Sequence, residues 1–244
     1  MKNPETWRAS KYVRDKNGLL TASRNPLEVG VGSRFIADII AQWYDSVLKQ
    51  YAGGRLLDLG CGKSPLYLVY KNLVNDITLV DWENSLHPNE HLDFSCDLTK
   101  ALPFKDNEFD TIILSDVLEH IPEPEFLFSE IARILNTDGI LLMNVPFFYW
   151  IHEAPHDYYR YTEFKLRDFA EKSGLSLVSC SCLGGVFTVL IDIMAKILAP
   201  RGRCGEFCSK TLQAIAKKIL KNKMLSHPEF PLVYAMICKK EAST

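Results

Sequence analysis

An apolar run that ends in an acid and then in two glycines one residue apart, LLDLGCGKSP from Leu56 to Pro65, constrains this chain more than any other feature. A turn that tight at the end of a strand needs glycine, both for its backbone angles and to let a ligand approach the main chain. The segment therefore predicts a parallel strand, Arg55–Leu59, with a nucleotide-type pocket at its carboxyl end and a helix from Ser64 or Pro65. A dinucleotide fingerprint reads G-x-G-x-x-G, and its third glycine lets the helix pack closely. Pro65 occupies that third place, which disfavours a nicotinamide cofactor. About twenty residues further on, Leu79-Val80-Asp81 puts a carboxylate where it can accept hydrogen bonds from both hydroxyls of a ribose.

The rest of the core follows the same rhythm. Short, almost continuously apolar runs at Ile77–Val80, Leu92–Phe94, Thr111–Leu114 and Ile140–Val145 alternate with segments of helical period, the pattern of strands covered on both faces. Pro124 opens a helix that places Phe126, Leu127, Ile131, Ile134 and Leu135 on one side and closes at Asn136 and TDG. Thr162 is the expected N-cap of another, which buries Phe164, Leu166, Phe169 and Ala170 and stops at Gly174. Strands at Leu175–Cys182 and Leu232–Cys238 complete the sheet. Ser33–Tyr51 is an amphipathic helix expected to cover the ligand end.

The 244 residues are 47% hydrophobic, enough for a large α/β core. A net charge of -2 gives no general pull toward nucleic acid, and no nucleic-acid partner is expected. Seven cysteines behind a polar, charged N-terminal segment argue for a reducing, cytoplasmic setting rather than a disulfide framework. The longest apolar stretch, Val186–Leu198, is broken by Asp192 and Lys196 and is too short to span a bilayer.

Taken together, LLDLGCG, LVD, CDLTKALPFKDNEFDTIIL, SDVLEHIPEP and ARILNTDGILLMNVP resemble the class I S-adenosylmethionine methyltransferases over roughly residues 55 to 175. The resemblance implies a doubly wound, Rossmann-like, seven-stranded and mostly parallel sheet whose last strand is antiparallel, with S-adenosylmethionine across the carboxyl ends of the strands. Position by position it implies that Asp58, Gly60, Cys61 and Gly62 surround the methionine part, that Asp81 with Trp82 holds the ribose, that Asp97 and Leu98 meet the adenine, and that Ser115 opens toward the methionine moiety. HDYYRYT, from His156 to Thr162, resembles methyltransferases that modify sugars and implies a small or saccharide-type acceptor.

A sulfonium methyl is already activated, so alignment of the acceptor carries most of the rate, and a hydroxyl acceptor profits from a general base. His156, His152 and His120 are the candidates. Tyr158, Tyr159 and Arg160 are the expected acceptor-binding groups, and the run Phe147–Trp150 is expected to form pocket wall and core. His152-Glu153-Ala154-Pro155-His156 matches H-E-x-x-H, but proline before the second histidine disfavours the helix that zinc peptidases need. No CxxC pair is present, so no metal is expected.

The division along the chain is a single domain: an N-terminal cap and helix (1–54), the cofactor core (55–182), a helical insertion (183–231) and the last strand and tail (232–244). The family's last two strands usually form a close hairpin, so the insertion is an added element with a purpose. It holds an apolar helix, Val186–Leu198, and a basic one, Ser209–Leu225, with Leu212, Ile215, Ala216, Ile219 and Leu220 on one side. Residues 183–224 carry a net +6 and the remainder -8. Such a helix either packs on the domain or on a second subunit, giving a homodimer, or lies on an anionic bilayer, bringing the protein to the inner membrane face and a lipid-linked acceptor. The contrasting reading of the whole chain is a non-catalytic cofactor-binding module that docks through its basic helices.

Overall fold

The computed structural model describes residues 1–220 and 227–242. Its centre is a seven-stranded sheet. In chain order the strands are β3 (Arg55–Leu59), β4 (Asp76–Asp81), β5 (Phe94–Ser95), β6 (Phe109–Ser115), β7 (Leu135–Pro146), β8 (Leu175–Leu183) and β9 (Val233–Lys240). In space they run β5-β4-β3-β6-β7-β9-β8, all parallel except β9, which lies antiparallel between β7 and β8. The strand order reverses beside β3, at the glycine turn, where doubly wound sheets open a crevice for ligands.

Neighbouring residues on each strand face opposite layers, and each layer has its own core. Leu56, Leu79, Ile113 and Leu142 pack with Phe35, Ile36, Ile40, Tyr44 and Leu48 of helix α1 (Arg34–Tyr51). Leu57, Val80, Ile112, Leu114 and Met143 pack against α3 (Pro124–Ile134) and α4 (Glu163–Lys172) through Leu127, Phe128, Ile131, Leu166 and Phe169. Continuous apolar strands are thus required by a sheet covered on both sides.

Three boundaries differ from the sequence reading. After the glycine turn only one helical turn forms, α2 (Tyr67–Tyr70), not a helix from Ser64 or Pro65. The short strand lies at Phe94–Ser95 rather than Leu92–Phe94. β7 begins at Leu135, directly after α3, because Leu135 pairs with Phe109 and the TDG turn sits inside the strand, with Asp138 at positive φ. Thr162 is the N-cap of α4, but its side chain makes no capping bond. The N-terminal region also holds a hairpin the sequence did not suggest, β1 (Tyr12–Arg14) with β2 (Leu20–Ala22).

Between β8 and β9 the insertion forms α5 (Val186–Leu198) and α6 (Gly202–Leu220). The expected helix Ser209–Leu225 therefore starts seven residues earlier, at Gly202, and its last part lies outside the described residues. Both helices dock on a single 3-10 turn, Val31–Ser33, ahead of α1. The Gln213 amide donates to the Val31 carbonyl at 2.8 Å, Lys217 pairs with Asp38, and a Cβ on Gly32 would stand 2.8 Å from the Lys196 Cα. The inward side of α5 carries Thr188, Val189, Asp192, Ala195 and Lys196, with Asp192 and Lys196 paired and buried. Its outward side carries Phe187, Leu190, Ile193, Met194 and Ile197, all exposed. On α6 the buried positions among the described residues are Gly205, Ser209, Gln213 and Ala216, while Ile215 and Ile219 face out. Of the apolar row expected on one side of this helix, Ala216 is buried and Leu212 half-buried, while Ile215 and Ile219 are turned away from the domain.

Because Gly32 admits no side chain against α5, Gly32→Val is expected to loosen the insertion while the sheet stays folded. Limited proteolysis should then cut between residues 184 and 231 at least tenfold faster, with far-UV circular dichroism largely unchanged; equal cleavage rates would contradict this docking.

Candidate functional site

The carboxyl ends of β3, β4 and β6 surround a cavity of about 720 Å³, within the range of small-molecule sites. Its floor is the glycine turn, fixed by its hydrogen bonds. The Gly60 and Cys61 amides donate to the Val80 carbonyl at 2.8 and 3.0 Å, and the Gly62 amide donates to Asp81 Oδ2 at 2.8 Å. Asn89 Nδ2 closes the turn from the far side, donating to Gly62 O at 2.7 Å and Ser64 Oγ at 2.8 Å. Gly60 and Gly62 lie at φ +75° and +51°, and a Cβ on Gly60 would strike Val117 at 2.6 Å. Larger residues would be strained there and would close the approach to the backbone.

Every position assigned to the cofactor meets in this cavity: Asp58, Gly60, Cys61, Gly62, Asp81, Trp82, Asp97, Leu98 and Ser115 all line it. The Asp81 carboxylate is held by the amides of Gly62 and Trp82, and burial raises its pKa against their pull. Asp97 accepts from the Thr99 amide and hydroxyl and pairs with Lys100, which holds its carboxyl below its ordinary value. Asp58 is fully buried, with the Tyr70 hydroxyl donating to it at 2.8 Å. Desolvation lifts it to about 7, partly opposed by that hydrogen bond and reinforced by Asp81.

Residues 57–143 match the family described as Methyltransferase domain. The match marks this segment, from β3 into β7, as a methyltransferase domain. A ubiquinone biosynthesis O-methyltransferase of Xanthomonas euvesicatoria is 27% identical to this chain over 111 residues, 41% of this chain and 46% of that one. The chain spans about half the length of the curated relatives it matches. Among solved structures, the [4+2]-cyclase SpnF superposes with a TM-score of 0.56 at 20% identity, covering 85% of this chain and 82% of its own. An S-adenosylmethionine-dependent methyltransferase from Mesorhizobium loti gives 0.55 at 14%, covering 83% and 98%. These likenesses establish the fold, and the cyclase shows that one such fold does not dictate one reaction.

The residues of this cavity fit S-adenosylmethionine, the cofactor that the methyltransferase-domain match implies. The glycine turn leaves room against the main chain, and Asp81 presents a carboxylate at the end of β4.

The acceptor-side histidines separate. His120 and His156 line the cavity; His152 lies behind His120, their ring centroids 4.8 Å apart. His156 stands edge-on to Trp82 at 5.4 Å, with its Nδ1 3.3 Å from the Tyr158 hydroxyl. Tyr158 faces the same cavity. Tyr159 and Arg160 instead border a groove with Pro122, Pro124 and Lys165. The Arg160 guanidinium is engaged twice by Asp157, at 2.6 and 2.8 Å, and by the Trp150 and Tyr159 carbonyls. His152–His156 forms no helix, as the proline implied. The run Phe147–Trp150 does not line the cavity; Tyr149 turns toward α5, its ring 4.2 Å from Lys196 Nζ.

Several lining groups carried no sequence signal. Helix α1 contributes none; Ser10, Lys11, Leu27 and Glu28 from the segment before it cover the cavity instead. Lys11 Nζ meets Asp116 Oδ2 at 2.9 Å, and Asp116, at positive φ, also accepts from Asn144 Nδ2. Asn144 ties this acid to Ser115 and to Tyr44 of α1, at 3.0 and 2.9 Å. Glu119 is wholly buried, both carboxylate oxygens lack a hydrogen-bond partner, and desolvation raises its pKa.

Two outcomes follow. Asp81→Ala should weaken binding of the demethylated cofactor by about 10- to 100-fold in isothermal titration, the worth of a lost charge-assisted hydrogen bond. Below pH 7 the free protein holds a proton on Asp58; the cofactor's positive charge lowers that pKa, so binding expels the proton and affinity rises with pH. The dissociation constant of S-adenosylmethionine should tighten by up to about fivefold between pH 6 and 7, by about another twofold to pH 8, and level above it, and Asp58→Asn should flatten the profile. A flat wild-type profile would contradict the linkage.

Proposed function

We propose that this protein transfers a methyl group from S-adenosylmethionine to a hydroxyl of a small or saccharide-type acceptor that is carried on a lipid. In this reading Asp81 and Trp82 hold the ribose, Asp97 and Leu98 flank the adenine, and Asp58 with the Gly60–Gly62 turn and Ser115 receives the methionine end. The bound cofactor supplies a sulfonium-activated methyl. The chain's own part is alignment, exclusion of water, and a histidine that takes the acceptor proton. His156 is the first choice because it faces the cavity while touching only Trp82 and Tyr158 among side chains with hydrogen-bonding or ring contacts. His120, whose Nδ1 is engaged by the His156 carbonyl at 2.7 Å, is the second.

The observation that carries the lipid part is the reversed polarity of the insertion. Phe187 is 61% exposed, Phe207 69% and Ile219 73%, and they are flanked by exposed Arg201, Arg203, Lys210 and Lys218. Apolar side chains rimmed by basic ones match the interfacial layer of an anionic bilayer. No helix among the described residues is long and apolar enough to cross a membrane, so the contact would be peripheral. The names of the ubiquinone-biosynthesis relatives agree with O-methylation as the reaction class.

Label transfer tests the reaction. With methyl-labelled S-adenosylmethionine and a membrane extract, label should enter an organic-extractable acceptor, and His156→Ala should cut turnover at least 100-fold while retaining cofactor binding. Binding without label transfer in any fraction would favour a non-catalytic module instead. Vesicles test the surface: the protein should co-sediment with phosphatidylglycerol-containing liposomes but not with neutral ones, and Phe187→Ser with Ile197→Ser should abolish it. Equal recovery in the supernatant with both lipids would sink the membrane contact, and a dimer dissociated by the same substitutions would assign the face to a second copy.

A further inference from the structure

Glu119 is a carboxylate with no accessible surface and no hydrogen-bond partner on either oxygen. Such a group costs several kcal/mol unless something positive satisfies it. Two imidazoles point at it. His120 Nε2 lies 3.8 Å and His152 Nε2 3.7 Å from Glu119 Oε1, too far for hydrogen bonds. That spacing has another meaning. Donor atoms about 2.1 Å from a tetrahedral zinc ion stand about 3.4 Å from one another. One donor atom from each of Glu119, His120 and His152 falls within 4.8 Å of the other two, so closing on an ion requires shifts on the order of 1 Å.

The outer contacts hold both rings in place: His120 Nδ1 donates to the His156 carbonyl at 2.7 Å, and His152 Nδ1 lies 3.2 Å from Asp157 Oδ2 and 3.5 Å from the Arg160 guanidinium. The His120 ring thus keeps its proton on Nδ1 and turns the Nε2 lone pair inward, the arrangement that orients histidine ligands in metal sites, and the carboxylate beside His152 holds that ring with its Nε2 toward Glu119. Asp157 is itself held by Arg160, and the Glu119 carbonyl accepts from the Tyr158 amide at 2.9 Å. The segment 152–160 is thereby fastened to the turn Leu118–His120, so two distant stretches of chain form one site.

We infer that Glu119, His120 and His152 form a binding site for a divalent transition-metal ion of the zinc type. Two imidazoles and one carboxylate favour zinc over magnesium, and three protein ligands leave a fourth position open. Since His120 also lines the cofactor cavity, that position lies at the cavity's edge, and its ligand class is an oxygen donor, water or an acceptor hydroxyl. The part of this inference that concerns an acceptor rests on the transfer reading above; metal binding itself does not.

The test uses the metal alone. In a Cys204→Ser, Cys208→Ser background, which removes the exposed thiols of α6, purified protein titrated with zinc should bind one ion per chain with a micromolar or tighter dissociation constant. Cobalt should give the visible absorption of a four-coordinate site. Glu119→Gln, which keeps the shape and removes the charge, should bind zinc about 100-fold or more weakly, lose the cobalt spectrum, and melt at the same temperature with or without zinc. His152→Gln, on a partly exposed loop, repeats the test if Glu119→Gln fails to fold. Absence of stoichiometric zinc binding, or equal binding by wild type and variant, overturns the site. Neither result touches the cofactor titration, so failure here and failure of the methyl-transfer reading remain distinct.

Discussion

Hydrogen bonds between the Gly60–Gly62 turn and the end of β4 hold the rest of the site in place. Val80 O takes two amides of the turn and Asp81 a third, so the loop after one strand cannot shift without the strand beside it. In a parallel sheet both strands end at the same edge, and both are anchored in the two apolar cores. The rigidity of the core is thereby passed to a segment that would otherwise be an exposed loop. Asn89 adds a clamp from outside the sheet, and it works only because the turn presents the Gly62 carbonyl and Ser64 hydroxyl side by side.

This dependence explains which parts of the molecule could be read from the sequence. The turn, Asp81, and the apolar strands rely on local pattern: glycines where φ must be positive, a carboxylate at a fixed distance, uninterrupted Val, Ile and Leu runs. The whole assigned cofactor set accordingly meets in one cavity. Lys11, Asp116, Asn144 and Glu119 leave no such trace. Lys11 reaches Asp116 across 105 positions, and a charged residue near the N-terminus looks the same whether it meets solvent or a buried acid. Glu119 sits in SDVLEHIPEP, where it reads as a solvated acid, and only the fold shows that it is sealed beneath His120 and His152. Arg160 illustrates the converse: its neighbours His156 and Tyr158 reach the cavity, while its guanidinium is spent on Asp157.

Helical period shows that two faces differ; it does not show which one is inside. For α1 the apolar face is the buried one. For α5 the alternation has the same quality but the opposite sense, with Asp192 and Lys196 inside and Phe187, Leu190, Ile193, Met194 and Ile197 outside. The reason lies in the docking surface. The Val31–Ser33 turn offers backbone carbonyls and a glycine, and Asp38 offers a charge, so small and polar residues of α5 and α6 make the closest fit.

A buried ion pair gives little net stability, because desolvation of both charges offsets their attraction. The Asp192–Lys196 pair therefore does little to hold α5 down, and the outward apolar row contributes nothing while it faces water. What holds the insertion down is the close fit of Val189, Ala195, Gln213 and Ala216 on the inner side, and covering the outer row would add to it. The insertion lies between β8 and β9, the two strands that close the sheet beside β7, and their full antiparallel pairing is independent of it.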